Sequence, residues 1–124
     1  MSNWFLRLAV LYFALGVLLG NIMGASHDFT LKGVHAHLNL LGWASLFLFG
    51  LWYRVMPTAA NTGLAKTHFW LHNIALPIQM VALAMVFKGN AAVEPVVGAA
   101  SAVIGIGVLC FAVNLWKHTG PAKP

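Results

Sequence analysis

The sequence predicts an all-α integral membrane protein, a single domain of four transmembrane helices covering residues 1–124. Three observations predict it. Hydrophobic residues make up 60% of the 124 positions and charged residues only 7%, with a mean hydropathy of +0.83; a soluble domain of this size cannot hide so much apolar surface. At about 20 residues per crossing, the length accommodates four spans and short connections but no separate soluble domain. The seven Lys and Arg residues lie near the ends of apolar runs, where they serve as topology signals and contacts to anionic membrane lipid. No aromatic-basic patch accompanies the formal charge of +5, so the basicity does not point to nucleic acid.

The first span runs from about Trp4 to Gly24, with Arg7 close enough to its start to snorkel to the interface. A basic start followed by an apolar run also resembles a signal peptide; here it is read as a retained span. Gly16, Gly20 and Gly24 recur every fourth residue, which sets them on one face and permits close helix approach. After a polar turn from Ala25 to Thr30 with His27 and Asp28, the second span covers about Leu31 to Val55, ended by Arg54 and by Pro57 beyond it.

Residues 57 to 65 read as a loop, and the third span covers about Lys66 to Phe87 with a kink expected at Pro77. Lys88-Gly89-Asn90 is the next turn. The fourth span runs from about Val93 to Trp116, where Gly98, Ser101, Ala102 and Gly105 suggest a second small-residue packing face. The tail from Lys117 to Pro124 is short and polar, a composition expected to be mobile. Cys110, the single cysteine, lies in an apolar run and reads as core packing.

Arg7, Arg54, Lys66, Lys117 and Lys123 fall on the side of the termini and the middle connection, against Lys32 and Lys88 on the other side with both acids, Asp28 and Glu94. This asymmetry predicts a multi-pass protein of a bacterial-type inner membrane with cytoplasmic termini. Neither acid lies in the interior of a predicted span, Asp28 and Glu94 both falling at the outer edge, which argues against a carboxylate proton relay. No nucleophile-base pair or phosphate-binding glycine loop stands out.

The chemistry concentrates in the segment Gly33-Val34-His35-Ala36-His37-Leu38-Asn39-Leu40-Leu41-Gly42-Trp43, because ionisable side chains inside a membrane are costly and usually functional. At about 100° per residue, His35 and His37 point roughly 200° apart. They therefore address two clefts and cannot chelate one ion together. Neutral imidazole suits iron, copper and zinc, but a lone copper or zinc ion needs three or four convergent ligands, whereas heme needs one or two from the protein. Heme b is the cofactor that best matches an apolar interhelical cleft. The bland alternative is a pair of interface histidines bonded to backbone.

His68 and His72 stand four apart on one face of the third span and could chelate copper or zinc, or form a polar interfacial cap beside Lys66, Trp70 and Asn73. By helix rise, His37 lies about 9 Å and His72 about 22 Å below the outer ends of their spans, which excludes an ion shared between them. His27 and His118 sit at membrane edges. Within one chain, Met23, Met80 and Met85 are the candidate second heme ligands near the depth of His37, although methionine at helical spacing is more often core filler. The other source is a histidine of a second copy. Asp28, His27 and Lys32 could meet heme propionates at the outer surface.

The run His37-Leu38-Asn39-Leu40-Leu41 with Trp43 resembles the second helix of the catalytic subunits of nitric oxide reductases and heme-copper oxidases. By that resemblance, His37 maps onto an axial ligand of the low-spin heme. The pair His35-Ala36-His37 is similar to a His-x-His element of the same family that serves two pores. The family's subunit is built of three four-helix arcs, and this chain has the length of one arc. The resemblance implies a homotrimer in which each cleft receives His37 from one copy and His35 from the next; a dimer with one or two hemes is the other closed arrangement.

The further histidines of the family's copper site are not evident, since His68 and His72 fall at another depth and Tyr12 and Tyr53 lie outside the motif. Covalent attachment of heme through Cys-x-x-Cys-His is absent as well. Full oxidase activity is therefore not expected. The expectation is a membrane heme b protein for electron transfer, or for sensing or handling nitric oxide or oxygen, with its redox partner unspecified. A copper- or zinc-binding membrane protein and a structural or assembly subunit of a respiratory complex are the alternatives.

Overall fold

In the computed structural model, which describes residues 1–120, the chain forms four long helices, each long and apolar enough to cross a membrane. Helix α1 (Ser2–Ser26) ends where His27 adopts a left-handed conformation, φ 54°. Asp28 then ties the turn, its Oδ1 accepting from both the backbone N–H and the hydroxyl of Thr30. Helix α2 (Lys32–Val55) follows. Helix α3 (Gly63–Phe87) starts at Thr62, whose hydroxyl accepts from Ala65 N–H. A 3-10 turn (Ala91–Val93) leads into helix α4 (Glu94–His118), with Pro95 in its first turn where no intrahelical amide is needed.

These bounds adjust the sequence reading. Helix α1 extends two residues beyond the expected span at each end, and α4 runs to His118. The expected loop at 57 to 65 contains a short helical turn, Pro57–Ala60, and α3 begins three residues earlier than Lys66 because Thr62 caps it. Lys123 and the remainder of the tail at 121–124 lie outside the described residues.

Helix α2 contains the largest departure. Lys32–His37 and Ser45–Val55 are α-helical, but Leu38–Ala44 is a π-helix. Its wider turn shows in the bond from Ser45 N–H to Leu40 O, five residues back instead of four. Two local features favour it. The Asn39 amide donates to His35 O at 2.8 Å, so a side chain competes for the helical ladder. Gly42 lies against the Tyr12 ring so closely that a Cβ there would stand 2.7 Å from Cγ, which fixes the level at which α2 meets α1. The buried positions Val34, Leu38, Gly42 and Leu46 consequently recur every fourth residue instead of drifting at 3.6.

Helix α1 packs along α2, and α3 along α4. In the most apolar window of each span, 33% of residues in α2 and α3 are buried against 17% in α1 and α4, so α2 and α3 are central and the other two flank them. The four helices converge near the end that carries Met1 and the 57–60 turn. There Phe5 contacts the rings of Phe49, Tyr53, His68 and Phe69 at 5.0–6.0 Å between centroids, and Phe111 reaches the same cluster from α4. The outward surface is apolar, including Leu18, Ile22, Leu48, Val81, Leu109 and Trp116, as a lipid-facing surface requires.

The two small-residue faces behave differently. Gly16 and Gly20 do face a neighbouring helix, whereas Gly24 has nothing within 4 Å. On α4 the expected face points outward: Gly98 and Gly105 have nothing within 4 Å, and Ser101 and Ala102 are exposed. The buried stripe is Ala100, Ile104, Gly107 and Asn114. Bulk decides the matter, since Ile104 gains more from burial than glycine does.

Gly42→Ala is expected to destabilise the bundle by about 1–3 kcal/mol through overpacking against Tyr12, while Gly98→Ala, with open space around it, should be neutral or stabilising by up to about 1 kcal/mol. Thermal unfolding of both variants in detergent checks the contrast. At the α1–α2 turn, the side-chain and then the backbone bond from Thr30 hold the Asp28 carboxyl below its ordinary value of 3.8, with a smaller contribution from Lys88. Because the folded-state value is depressed, the turn's contribution to stability is present above the unfolded-state value and is lost as pH falls through the folded one. Carboxyl ¹³C titration of Asp28 should show this low midpoint, and Thr30→Val should move it up.

Candidate functional site

Apart from Gln79 of α3, which donates to Ser101 of α4 at 2.6 Å, and Asn73, which donates to Phe69 O of its own helix, the main polar groups inside the bundle gather at two levels of α2, one before the π segment and one around and beyond it.

His35 and His37 precede the π segment and, as their spacing predicts, lie on different sides of α2. His35 turns toward α1. Its Nδ1 lies 2.9 Å from Gly16 O, and its Cε1 would stand 2.9 Å from a Cβ on Gly20. Asn39 lies against Gly16 in the same seam. The glycine face of α1 therefore admits polar rings and amides from α2 rather than a helix backbone. His37 shares the face of Gly33, one turn away, and Gly33 abuts the Phe87 ring of α3. His37 Nδ1 lies 2.7 Å from Gly33 O.

These bonds decide the tautomers. A carbonyl oxygen only accepts, so each Nδ1 carries the proton and donates. The 3.4 Å approach of Asn39 Nδ2 to His35 Nδ1 then brings two donors together and is no bond; that amide is already engaged with His35 O. Both Nε2 atoms are left as lone-pair nitrogens, and neither is hydrogen-bonded among the described residues. An imidazole with Nδ1–H anchored to a carbonyl is oriented as a metal ligand through Nε2. Both rings are half-buried.

The second cluster is more deeply enclosed. His68 and His72 are fully buried at 0% exposure, so they do not form the interfacial cap with Lys66 and Trp70 that sequence position suggested. Aromatic rings surround them: Phe49 stands 4.5 Å from His68 and 5.6 Å from His72 between centroids, with Phe5 and Phe111 at 5.2 and 5.3 Å from His68. His72 Nε2 lies 3.0 Å from Leu41 O. Ser45 N–H, which α-helical spacing would pair with that carbonyl, bonds instead to Leu40 O, so the π segment offers Leu41 O to a side-chain donor and His72 supplies it. This contact reaches α2 only four residues beyond His37, about 6 Å of helix rise. The two clusters therefore occupy adjoining levels, nearer than depth arithmetic indicated.

Tyr53 and Asn114, which the sequence reading left out of the site, complete this cluster. The Tyr53 hydroxyl lies 3.0 Å from His68 Nδ1. Asn114 Nδ2 donates to Ala59 O at 3.0 Å. An isolated amide in an apolar span was the available signal for Asn114; Tyr53 carried none, because its role depends on the rotation of α2 beyond the π segment. Met23 and Met80 are core residues at 6% exposure, and Met85 is 40% exposed. His27 caps α1, while His118 Nδ1 donates to Asn114 O at 2.8 Å.

Among the described residues, no group of three or more His, Cys, Asp and Glu side chains converges as a metal site. An isolated copper or zinc ion would thus find two imidazoles at most, without a counter-charge. The donor set fits heme better, since the macrocycle brings its own four nitrogens and asks only for axial ligands with free lone pairs. Comparison with known proteins returned no match to a family model, a curated protein or a solved structure.

His72→Phe keeps the aromatic packing but removes the donor to Leu41 O. A buried carbonyl without its partner costs about 1–3 kcal/mol; the variant is expected to unfold at correspondingly milder conditions, and an amide-exchange measurement should show weakened protection centred on residues 40–46.

Proposed function

We propose that the chain is a membrane b-type heme protein, with the heme held between copies of the chain by His37 and His35. The observation that carries this reading is the tautomer of the pair: two imidazoles on opposite sides of a membrane helix, each with Nδ1–H engaged by a carbonyl and Nε2 free. The resemblance of the His37–Leu41 run and Trp43 to the second helix of nitric oxide reductases and heme-copper oxidases supports the same residues.

His37 is the primary ligand, because among the described residues its one side-chain hydrogen bond is to its own helix and its Nε2 has no partner. His35 is the second; its ring lies in the α1–α2 seam of its own chain, with Nδ1 on Gly16 O and Nε2 3.6 Å from where a Cβ on Gly20 would stand, so reaching iron held against another copy requires α1 to give way beside it. Since the two face different ways, one chain cannot apply both to one iron, and a closed ring of copies, a trimer or a dimer, supplies the second ligand. The apolar faces of the flanking helices provide the surface for such contacts. The heme contributes a one-electron redox centre. Apolar side chains around the pair would keep water from a bound heme, and no carboxylate stands in the interior of the spans to conduct protons, Asp28 lying in a turn and Glu94 at the start of α4, both exposed.

A heme bound by both histidines would serve electron transfer; one bound by His37 alone would leave room to sense or handle nitric oxide or oxygen. The α1–α2 turn and Lys32 lie at the end of α2 nearest the pair, where propionates would meet a cation.

The protein purified from heme-replete cells is expected to give a b-type pyridine hemochrome spectrum. His37→Ala should abolish heme content while lowering stability by only about 1 kcal/mol, the value of one exchanged hydrogen bond. An unchanged reduced spectrum under carbon monoxide identifies two protein ligands; a shifted one identifies a gas-binding position. A colourless, iron-free preparation would sink the proposal.

A further inference from the structure

The buried cluster beyond the π segment has hydrogen-bonding capacity that the heme reading does not use. His68 Nε2 and His72 Nδ1 are buried and have no hydrogen-bond partner among the described residues. Their rings face each other nearly perpendicular, 5.8 Å apart between centroids.

The protons on this pair can be assigned from its two ends. At one end, Leu41 O only accepts, so His72 carries its proton on Nε2 and presents a lone pair at Nδ1. At the other, the Tyr53 hydroxyl has His68 Nδ1, at 3.0 Å, as its one hydrogen-bond partner among the described residues, and a buried phenol donates to the acceptor it meets. His68 consequently carries its proton on Nε2. The pair presents one N–H and one lone pair, not two lone pairs.

We propose that His68 and His72 bind one small neutral molecule that accepts and donates a hydrogen bond at once, a water molecule held between His68 Nε2–H and His72 Nδ1. Two hydrogen bonds of about 2.9 Å meeting at a tetrahedral oxygen set the nitrogens about 4.7 Å apart, a separation that ring centroids at 5.8 Å accommodate. The aromatic enclosure by Phe5, Phe49 and Phe111 favours a neutral occupant over a cation, which would be buried without a counter-charge. With the water in place, the donors run in one direction from Tyr53 through His68, water and His72 to Leu41 O. Each buried imidazole then has both nitrogens satisfied.

The site does not depend on heme, so its test is separate. In ¹⁵N-histidine-labelled protein in lipid nanodiscs, His68 and His72 are both expected to be neutral with the proton on Nε2, and His68 Nε2–H should show magnetisation transfer from water. Tyr53→Phe removes the group that dictates the His68 tautomer; its Nε2–H population should fall from nearly complete to about half, with His72 unchanged. A His68 protonated on Nδ1 and lacking water contact overturns the proposal. So does stoichiometric copper or zinc that is lost in a His68→Ala, His72→Ala double variant.

Discussion

A carbonyl that leaves its helical ladder inside a membrane has no water to turn to, so another part of the protein must supply a donor. Leu41 O is that carbonyl, and His72 Nε2 is the donor. The bond joins the two central helices where one is locally widened. On one side of it, α2 carries His35 and His37 toward separate faces; on the other, it carries Phe49 and Tyr53 into the aromatic cluster with Phe5 and Phe111. A π segment adds close to one residue to a turn, a rotation of about 100° between the helical stretches on its two sides. The relation between the two polar clusters is therefore set at Leu38–Ala44, and His72 is the side chain that satisfies the altered backbone.

Both clusters work by the same logic. A histidine in water exchanges its ring proton freely, but beside a carbonyl it has one tautomer. Gly16 O and Gly33 O put the proton of His35 and His37 on Nδ1, whereas Leu41 O puts that of His72 on Nε2. Four imidazoles of one sequence type thus acquire different chemistry from which backbone oxygen each meets. The first two keep Nε2 as a lone-pair nitrogen, His35 in the seam with α1 and His37 on another side of α2. The second two stand nearly perpendicular, 5.8 Å apart between ring centroids, inside an aromatic enclosure.

The sequence reading reached the four spans and their order, because runs of about 20 apolar residues broken by Asp28, Pro57 and Lys88-Gly89-Asn90 have few other solutions in a chain this short. It also placed His35 and His37 on different sides of α2, since both lie in the α-helical segment where about 100° per residue applies. The arithmetic stopped at Leu38. No propensity marks a π turn in Leu-Asn-Leu-Leu-Gly-Trp-Ala; it arises from the Asn39 bond to His35 O, the Tyr12 ring against Gly42 and a donor thirty-one residues away in sequence. For that reason the sequence alone does not align Tyr53 with His68, and helix rise places His72 deeper relative to α2 than its contact with Leu41 O does. On α4, glycine spacing alone did not reveal which face was buried, because small residues allow close contact without requiring it.

The filling of the α1 glycine face bears on how copies of this chain could meet. Small-residue patches are a common way for membrane helices to recognise one another, since close backbones exclude lipid along a narrow, well-defined line. Here Gly16 and Gly20 are already used within the chain by Asn39 and His35, whereas α4 leaves Gly98, Ser101, Ala102 and Gly105 uncovered beside large exposed side chains such as Leu109 and Trp116. Self-association on such a surface has one narrow line for close approach and otherwise competes with acyl chains over a rough area of similar chemistry. Its strength becomes a property of the bilayer as much as of the protein, and bilayer thickness and chain composition set how often two copies remain together.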